Sequence, residues 1–284
     1  MSNFRSEKDN QQALLTKSLY PLKKAFFTSL AVFHFCLGVQ ITQAQHKISQ
    51  KEKILFEDDF QGSLKSGWSW LRPEEKAHQI SAKGLLMKSL DGNIWESQST
   101  GRNFLLRALP RLEDGIITQV SITSTPQSPF EQAGLIWYKN DSTYIKLMVE
   151  LLNGNKIVNM VREERNQAVI FKQDLQDHTS KPLSISFQGD KVVLIDKTTN
   201  QEANVDINQV TAKQIDLRLS IQSGEVIGEM KEAGAREWKT VGKCPLFAEA
   251  DTKVGFITLM GSKDKPTWVE LDQFSIRTAK APLK

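Results

Sequence analysis

Cysteine is nearly absent: the 284 residues hold two. Cys36 lies in an apolar run near the start, and Cys244 stands alone in the remainder, so no internal disulfide framework can form there. The fold must rest on its hydrophobic core, which a stretch of about 230 residues can supply. Histidine is almost as scarce, with four in all. His46, His78 and His178 form no i, i+4 pair and have one cysteine beside them, which argues against zinc. No Gly-x-Ser-x-Gly elbow and no phosphate-binding loop occurs. An excess of one charge sign is also missing. Of the net +4, three charges come from Arg5, Lys8, Lys17, Lys23 and Lys24 set against Glu7 and Asp9, so the rest is close to neutral. Such a chain creates no field that gathers phosphates, which argues against nucleic acid as a partner.

Helical periodicity is lacking too. No stretch sustains apolar residues at helical spacing for three turns, and only Val205 to Lys213 reads as a turn of helix. The longest apolar run, Ala25 to Val39, is too short to span a bilayer comfortably and has the length of a signal-peptide core. Lys23-Lys24 precedes it, and Thr42-Gln43-Ala44 places small side chains for cleavage after Ala44. Residues 1–44 are therefore expected to be a signal peptide, with an uncleaved N-terminal anchor as the alternative. On either reading the rest is exported, to the periplasm or outside the cell, with no membrane span in the mature chain. Residues 45–53 read as a linker and 279–284 as a tail.

Strand signals fill 54–278. Short apolar or alternating runs recur, broken by Gly, Asn, Asp or Pro. They are Ile54–Phe60, Gly84–Ser89, Asn103–Ala108, Gly115–Thr123, Gln132–Tyr138, Thr143–Leu152, Lys156–Glu163, Ala168–Phe171, Leu183–Gln188, Lys191–Asp196, Gln214–Ser220, Val226–Met230, Lys253–Met260 and Val269–Arg277. Asp91-Gly92, Asn153-Gly154, Gly189-Asp190 and Ser223-Gly224 supply turns. The pattern predicts one all-β domain, an antiparallel two-sheet sandwich or a barrel.

One hairpin can be read residue by residue. Pairing Gln132–Tyr138 with Thr143–Glu150 puts Ala133, Leu135 and Trp137 on one face with Ile145, Leu147 and Val149, because side chains alternate. That face is apolar and should meet the other sheet. The Asn153-Gly154 turn returns the next strand, adding Val158 and Met160 to the core. The opposite, open face then carries Gln132, Tyr138, Tyr144, Lys146, Glu150, Asn159 and Glu163. Aromatic rings among hydrogen-bonding groups suit a glycan; an ordinary solvated sheet face is the alternative.

The residues also resemble a known family. Phe56-Glu57-Asp58-Asp59-Phe60, Gly67-Trp68-Ser69-Trp70-Leu71-Arg72 and Gly84-Leu85-Leu86-Met87 are similar to the opening of concanavalin A-like sandwiches in bacterial carbohydrate-active proteins. Gln132-Ala133-Gly134-Leu135-Ile136-Trp137-Tyr138 with Tyr144-Ile145-Lys146-Leu147 and Glu150 resembles the C-terminal domain of bacterial β-xylosidases and its uncharacterised stand-alone relatives. Asp91-Gly92-Asn93-Ile94-Trp95 looks like the Trp-containing segment of those relatives, and Trp268 to Phe274 like their closing strand. The resemblance implies a concanavalin A-like jelly-roll sandwich, with Gln132, Tyr144, Lys146 and Glu150 on its concave sheet. In the β-xylosidases the module accompanies a catalytic propeller; with no second domain read here, the expectation is a free-standing binding module.

Catalytic signals are weak. The glucanase-type Glu-x-Asp-x-x-Glu pattern is approached only by Glu270-Leu271-Asp272-Gln273-Phe274-Ser275, where serine replaces the last acid. Glu150 and Glu163 could share a cleft as the two carboxylates a glycosidase needs. Glu57-Asp58-Asp59 could ligate a structural calcium, with Asp272 approaching Asp59 if the first and last strands are neighbours; a solvated acidic strand is the alternative, and no other cofactor is expected. Among the tryptophans Trp137 reads as core, and Trp95, in a turn-rich segment, as ligand-facing. The expected function is non-catalytic binding of an oligo- or polysaccharide through Gln132, Tyr138, Tyr144, Lys146, Glu150, Asn159 and Trp95. A hydrolase or lyase on the same fold and a structural, protein-binding domain are the alternatives.

Overall fold

The structure, a computed structural model, describes residues 52–109, 113–247 and 251–278. The expected signal peptide, nearly all of the linker and the tail lie outside them. The described residues form seventeen strands and no α-helix, and among them no helix is long and apolar enough to cross a membrane.

Two antiparallel sheets face each other. The first runs in the order β15 (Lys239–Pro245), β14 (Glu225–Glu232), β13 (Gln214–Gln222), β6 (Ile116–Thr123), β17 (Trp268–Thr278), β4 (Gly84–Lys88) and β3 (His78–Ser81), with β1 (Lys53–Asp58) also paired to β17. The second runs β12 (Lys191–Asp196), β11 (Ser180–Gln188), β10 (Gln167–Gln173), β9 (Asn155–Glu164), β8 (Thr143–Leu152), β7 (Gln132–Asn140), β16 (Lys253–Leu259), β5 (Phe104–Ala108) and β2 (Trp68–Leu71).

The inner faces meet in one large core. Ala133 pairs with Val149, Leu135 with Leu147 and Trp137 with Ile145, and all six enter that core beside Val158 and Met160. Each fully buried Leu, Val or Ile contributes about 1.5–3 kcal/mol over its exposed state. Trp137 satisfies its indole N–H by donating to Thr118 Oγ1 at 2.9 Å. Trp68 joins the same core, with ring centroids 5.0 Å from Phe274 and 5.4 Å from Phe256. Its indole N–H donates to Asp58 Oδ2 at 2.8 Å. Asp58 also accepts the amides of Phe60 and Lys65, each at 2.9 Å. That carboxylate ties the first strand to its return loop and is spent on structure.

Two expectations need correction. Val205 to Lys213 forms no helix. It crosses the sheet edge as extended chain, bridging Val205 to Asp174 and Gln209 to Ile157, while Asn208 O accepts Val158 N–H at 3.0 Å. Its backbone groups find partners on neighbouring strands, which leaves none for a helical turn. The outward face of β7 to β9 is also not open to solvent: Gln132, Tyr138, Tyr144, Lys146, Glu150, Asn159 and Glu163 are all buried. A second apolar cluster covers it, in which Ile94 joins Tyr138, Tyr144, Met148 and Val161. The second sheet is thus buried on both sides over its central strands, with polar side chains kept on the outward one.

A covered polar pocket on the second sheet

The cover begins as a tight loop after β4. Asn93 O accepts the amides of Thr100 and Gly101, each at 2.9 Å, and Asn93 Oδ1 accepts Ile94 N–H at 2.9 Å. Gln98 N–H closes a turn on Trp95 O at 3.1 Å. The loop is pinned to the sheet from below. Tyr144 Oη lies 3.0 Å from Ile94 O and 2.7 Å from Glu163 Oε2, and Glu163 Oε2 accepts Glu96 N–H at 2.9 Å. Burial raises the Tyr144 hydroxyl above its ordinary range, and the nearby Glu163 charge adds to it. Burial likewise raises Glu163, against the pull of the Glu96 amide and Tyr144.

Beside this loop the sheet holds a pocket of about 420 Å³, a size that suits a small ligand. Its floor is a polar ring around Met148. Asn159 lies opposite Met148 on β9, and Gln132 opposite Glu150 on β7. Lys146 Nζ donates to Gln132 Oε1 at 2.8 Å, and Gln132 Nε2 donates to Phe130 O at 3.1 Å. Asn159 Nδ2 donates to Glu150 Oε2, while Asn159 Oδ1 has no partner among the described residues. Burial brings the Lys146 ammonium down to about 8, with Glu150 and Glu163 opposing the shift. Burial raises the Glu150 carboxyl, against the Asn159 hydrogen bond, Lys146 and Lys172. The walls are largely apolar: Trp95 on the loop, Val161 and Ile170 on the sheet, and Phe130, Ile185 and Phe187 at the mouth. Phe187 is 67% exposed and meets Phe130 edge to face at 6.4 Å.

Five of the seven residues singled out from sequence line this pocket: Trp95, Gln132, Lys146, Glu150 and Asn159. Tyr144 is placed beneath the loop as its anchor. Tyr138 lies further along, where its hydroxyl donates to Asp141 Oδ1 at 2.8 Å and it lines a shallower hollow with Arg72 and Asn140. Phe130, Phe187 and Asn93 were not singled out. Phe130 and Phe187 sit at strand ends, where no alternation assigns a face, and only their size beside turn residues hinted at exposure.

The other candidates lie apart from it. Glu163 shares the face of Glu150 but serves the loop and does not line the pocket. Glu270 and Asp272 belong to β17 in the opposite sheet. β1 does pair with β17, and Asp272 is raised first by burial and also by the nearby Asp59 charge. No group of three or more His, Cys, Asp or Glu side chains able to hold a metal occurs among the described residues. Trp70 stacks on His78 with centroids 3.9 Å apart, and Trp238 lies under Arg218 and Lys231.

Residues 57–191 match the family model described as the beta xylosidase C-terminal concanavalin A-like domain. Solved structures share the fold. The GH43 protein BlXynB of Bacillus licheniformis superposes with a TM-score of 0.57 at 15% identity, over 79% of this chain and 39% of that one. A xylan beta-1,4-xylosidase of Bacillus halodurans gives 0.55 at 16%, over 78% and 38%. A functionally unknown protein of Saccharomyces cerevisiae gives 0.51 at 16%, over 77% of this chain and 98% of its own. The chain thus spans about two fifths of the length of the two Bacillus proteins. No curated protein matches it. The resemblance drawn from the sequence is borne out for the fold and the domain type.

Proposed function

We propose that this concanavalin A-like domain is an exported, non-catalytic carbohydrate-binding module, and that the covered pocket of its second sheet is the binding site. The observation that carries the reading is the pocket itself. Its floor offers hydrogen-bond donors and acceptors from Lys146, Glu150 and Asn159, and its walls offer the rings of Trp95, Phe130 and Phe187. Sugars present hydroxyls at their edges and C–H groups on their faces, so a ring needs both kinds of surface. The domain type supports the reading, since it occurs in carbohydrate-active proteins. Absence of catalysis is supported by the carboxylates. A glycosidase needs two, one on each side of the bond, and Glu163 is held by Tyr144 and the Glu96 amide.

The test is a titration of the purified protein against an oligosaccharide panel, with and without calcium, following tryptophan fluorescence. Binding without product release is expected, and Trp95→Ala and Glu150→Ala should each weaken it about tenfold or more. Release of shorter sugars would instead make the domain a hydrolase or lyase. Failure of the whole panel would leave a structural or protein-binding domain. Export is checked by the mature N-terminus, expected at Gln45.

A further inference from the structure

The pocket floor carries an unbalanced inventory of hydrogen-bonding groups, and that inventory selects a ligand. Lys146 is 2% exposed, and among the described residues its ammonium has one hydrogen-bond acceptor, Gln132 Oε1, for three N–H groups. Asn159 is 3% exposed; its amide nitrogen is spent on Glu150, and its carbonyl oxygen accepts nothing. Glu150, on β8 with Lys146 and on the other side of Met148 from it, presents its carboxyl group at the same floor. Donors without acceptors and an acceptor without a donor therefore lie around one side chain, Met148. Burying such groups under an apolar ligand would cost about 1–3 kcal/mol for each one left unpaired.

A carboxylate group could accept from Lys146 but has no hydrogen to give Asn159 Oδ1, and it would lie beside Glu150, which repels it whenever Glu150 is ionised. An ammonium ligand meets the mirror problem at Lys146. A hydroxyl both accepts and donates. Two hydroxyls on neighbouring carbons can accept from Lys146 and donate to Asn159 and Glu150 together, while the ring faces meet Trp95 and Phe130.

Building on the carbohydrate-binding reading above, we infer that the pocket takes a neutral sugar ring with adjacent free hydroxyls, and that Glu150 rejects the same ring carrying a uronic acid carboxylate. Specificity here is a difference of two affinities, set as much by the repelled ligand as by the accepted one.

The experiment titrates the purified protein at pH 7 with pairs of methyl glycosides and short oligosaccharides. Each neutral ring is set against the uronate differing at C5: xylose and glucose against glucuronate, arabinopyranose and galactose against galacturonate, mannose against mannuronate. The expected result is that the neutral member binds about tenfold or more tighter. Methylating both adjacent hydroxyls should abolish its binding. Glu150→Gln keeps the shape and the oxygen facing Asn159, so it should cut the preference to about threefold or less, chiefly by admitting the uronate. Uronates binding as well as neutral rings, or better, would overturn the inference and leave the carbohydrate-binding reading intact. Binding by no member of any pair would remove both.

Discussion

Lys172 shows what a single buried charge does to this domain. It lies on β10, fully buried, and its ammonium donates to the carbonyls of Val158 and Ile207. It thereby fastens the extended segment crossing the sheet edge to β9. Burial drives its pKa down to about 7; Glu150 and Asp206 pull it back up, and Lys239 lowers it further. An unfolded lysine titrates near 10.4. Between about pH 7 and 10 the unfolded chain therefore binds more protons than the folded one, and stability contributed by this site rises with pH. Below 7 both states hold the proton, and the cost of burying the charge is at its greatest. Urea unfolding of wild type and Lys172→Met across pH 6 to 10 checks this. The wild-type advantage should grow from pH 7 upward; a pH-independent difference would mean that water reaches the ammonium.

At the scale of elements, the β7–β8–β9 meander was legible because two signals agree. Strict alternation fixed which side chains face the core, and Asn153-Gly154 fixed the turn, where both residues have positive φ, 50° and 75°. Gly134, in the middle of β7, is required by close approach: a Cβ there would lie 2.1 Å from Leu147 O and 2.8 Å from Met148 Sδ. The strands that escaped the sequence reading are β2, β3 and β15. Two are four residues long, and β15 contains a glycine and a proline, so periodicity had little to act on. The covering loop was invisible for another reason. It is held by Tyr144 and Glu163, about 50 and 67 residues away in sequence, and no local pattern records such a tie. The two side chains looked like a polar surface because their partners lie elsewhere in the chain. Tyr144→Phe removes the hydroxyl and keeps the ring. It should cost about 1–2 kcal/mol of stability and speed amide exchange at Glu96 and Gln98. Ligand affinity should fall with it, through Trp95. Unchanged exchange at those amides would show that the loop is held by packing of Ile94 alone.

The whole molecule offers one internal reporter of its cooperativity. Cys244 on β15 is 1% exposed within the main core, and burial pushes its thiol up to about 12. A thiol so placed is neutral and inaccessible, so it reacts only when the fold opens. β15 is an edge strand, and its opening could be local or global. Ligand separates the two. A sugar bound as proposed, between the Trp95 loop and β7 to β11, would bind only the folded form. At about one hundred times Kd it stabilises that form by about 2.7 kcal/mol, which lowers the globally unfolded population about a hundredfold. If Cys244 is exposed only by global unfolding, and reclosing outpaces labelling, its modification by a thiol reagent should slow by the same factor. A non-binding sugar should leave it unchanged, and mass mapping confines the readout to Cys244. Labelling that is insensitive to a bound sugar would mean that β15 frays alone, and that the two sheets do not open as one unit.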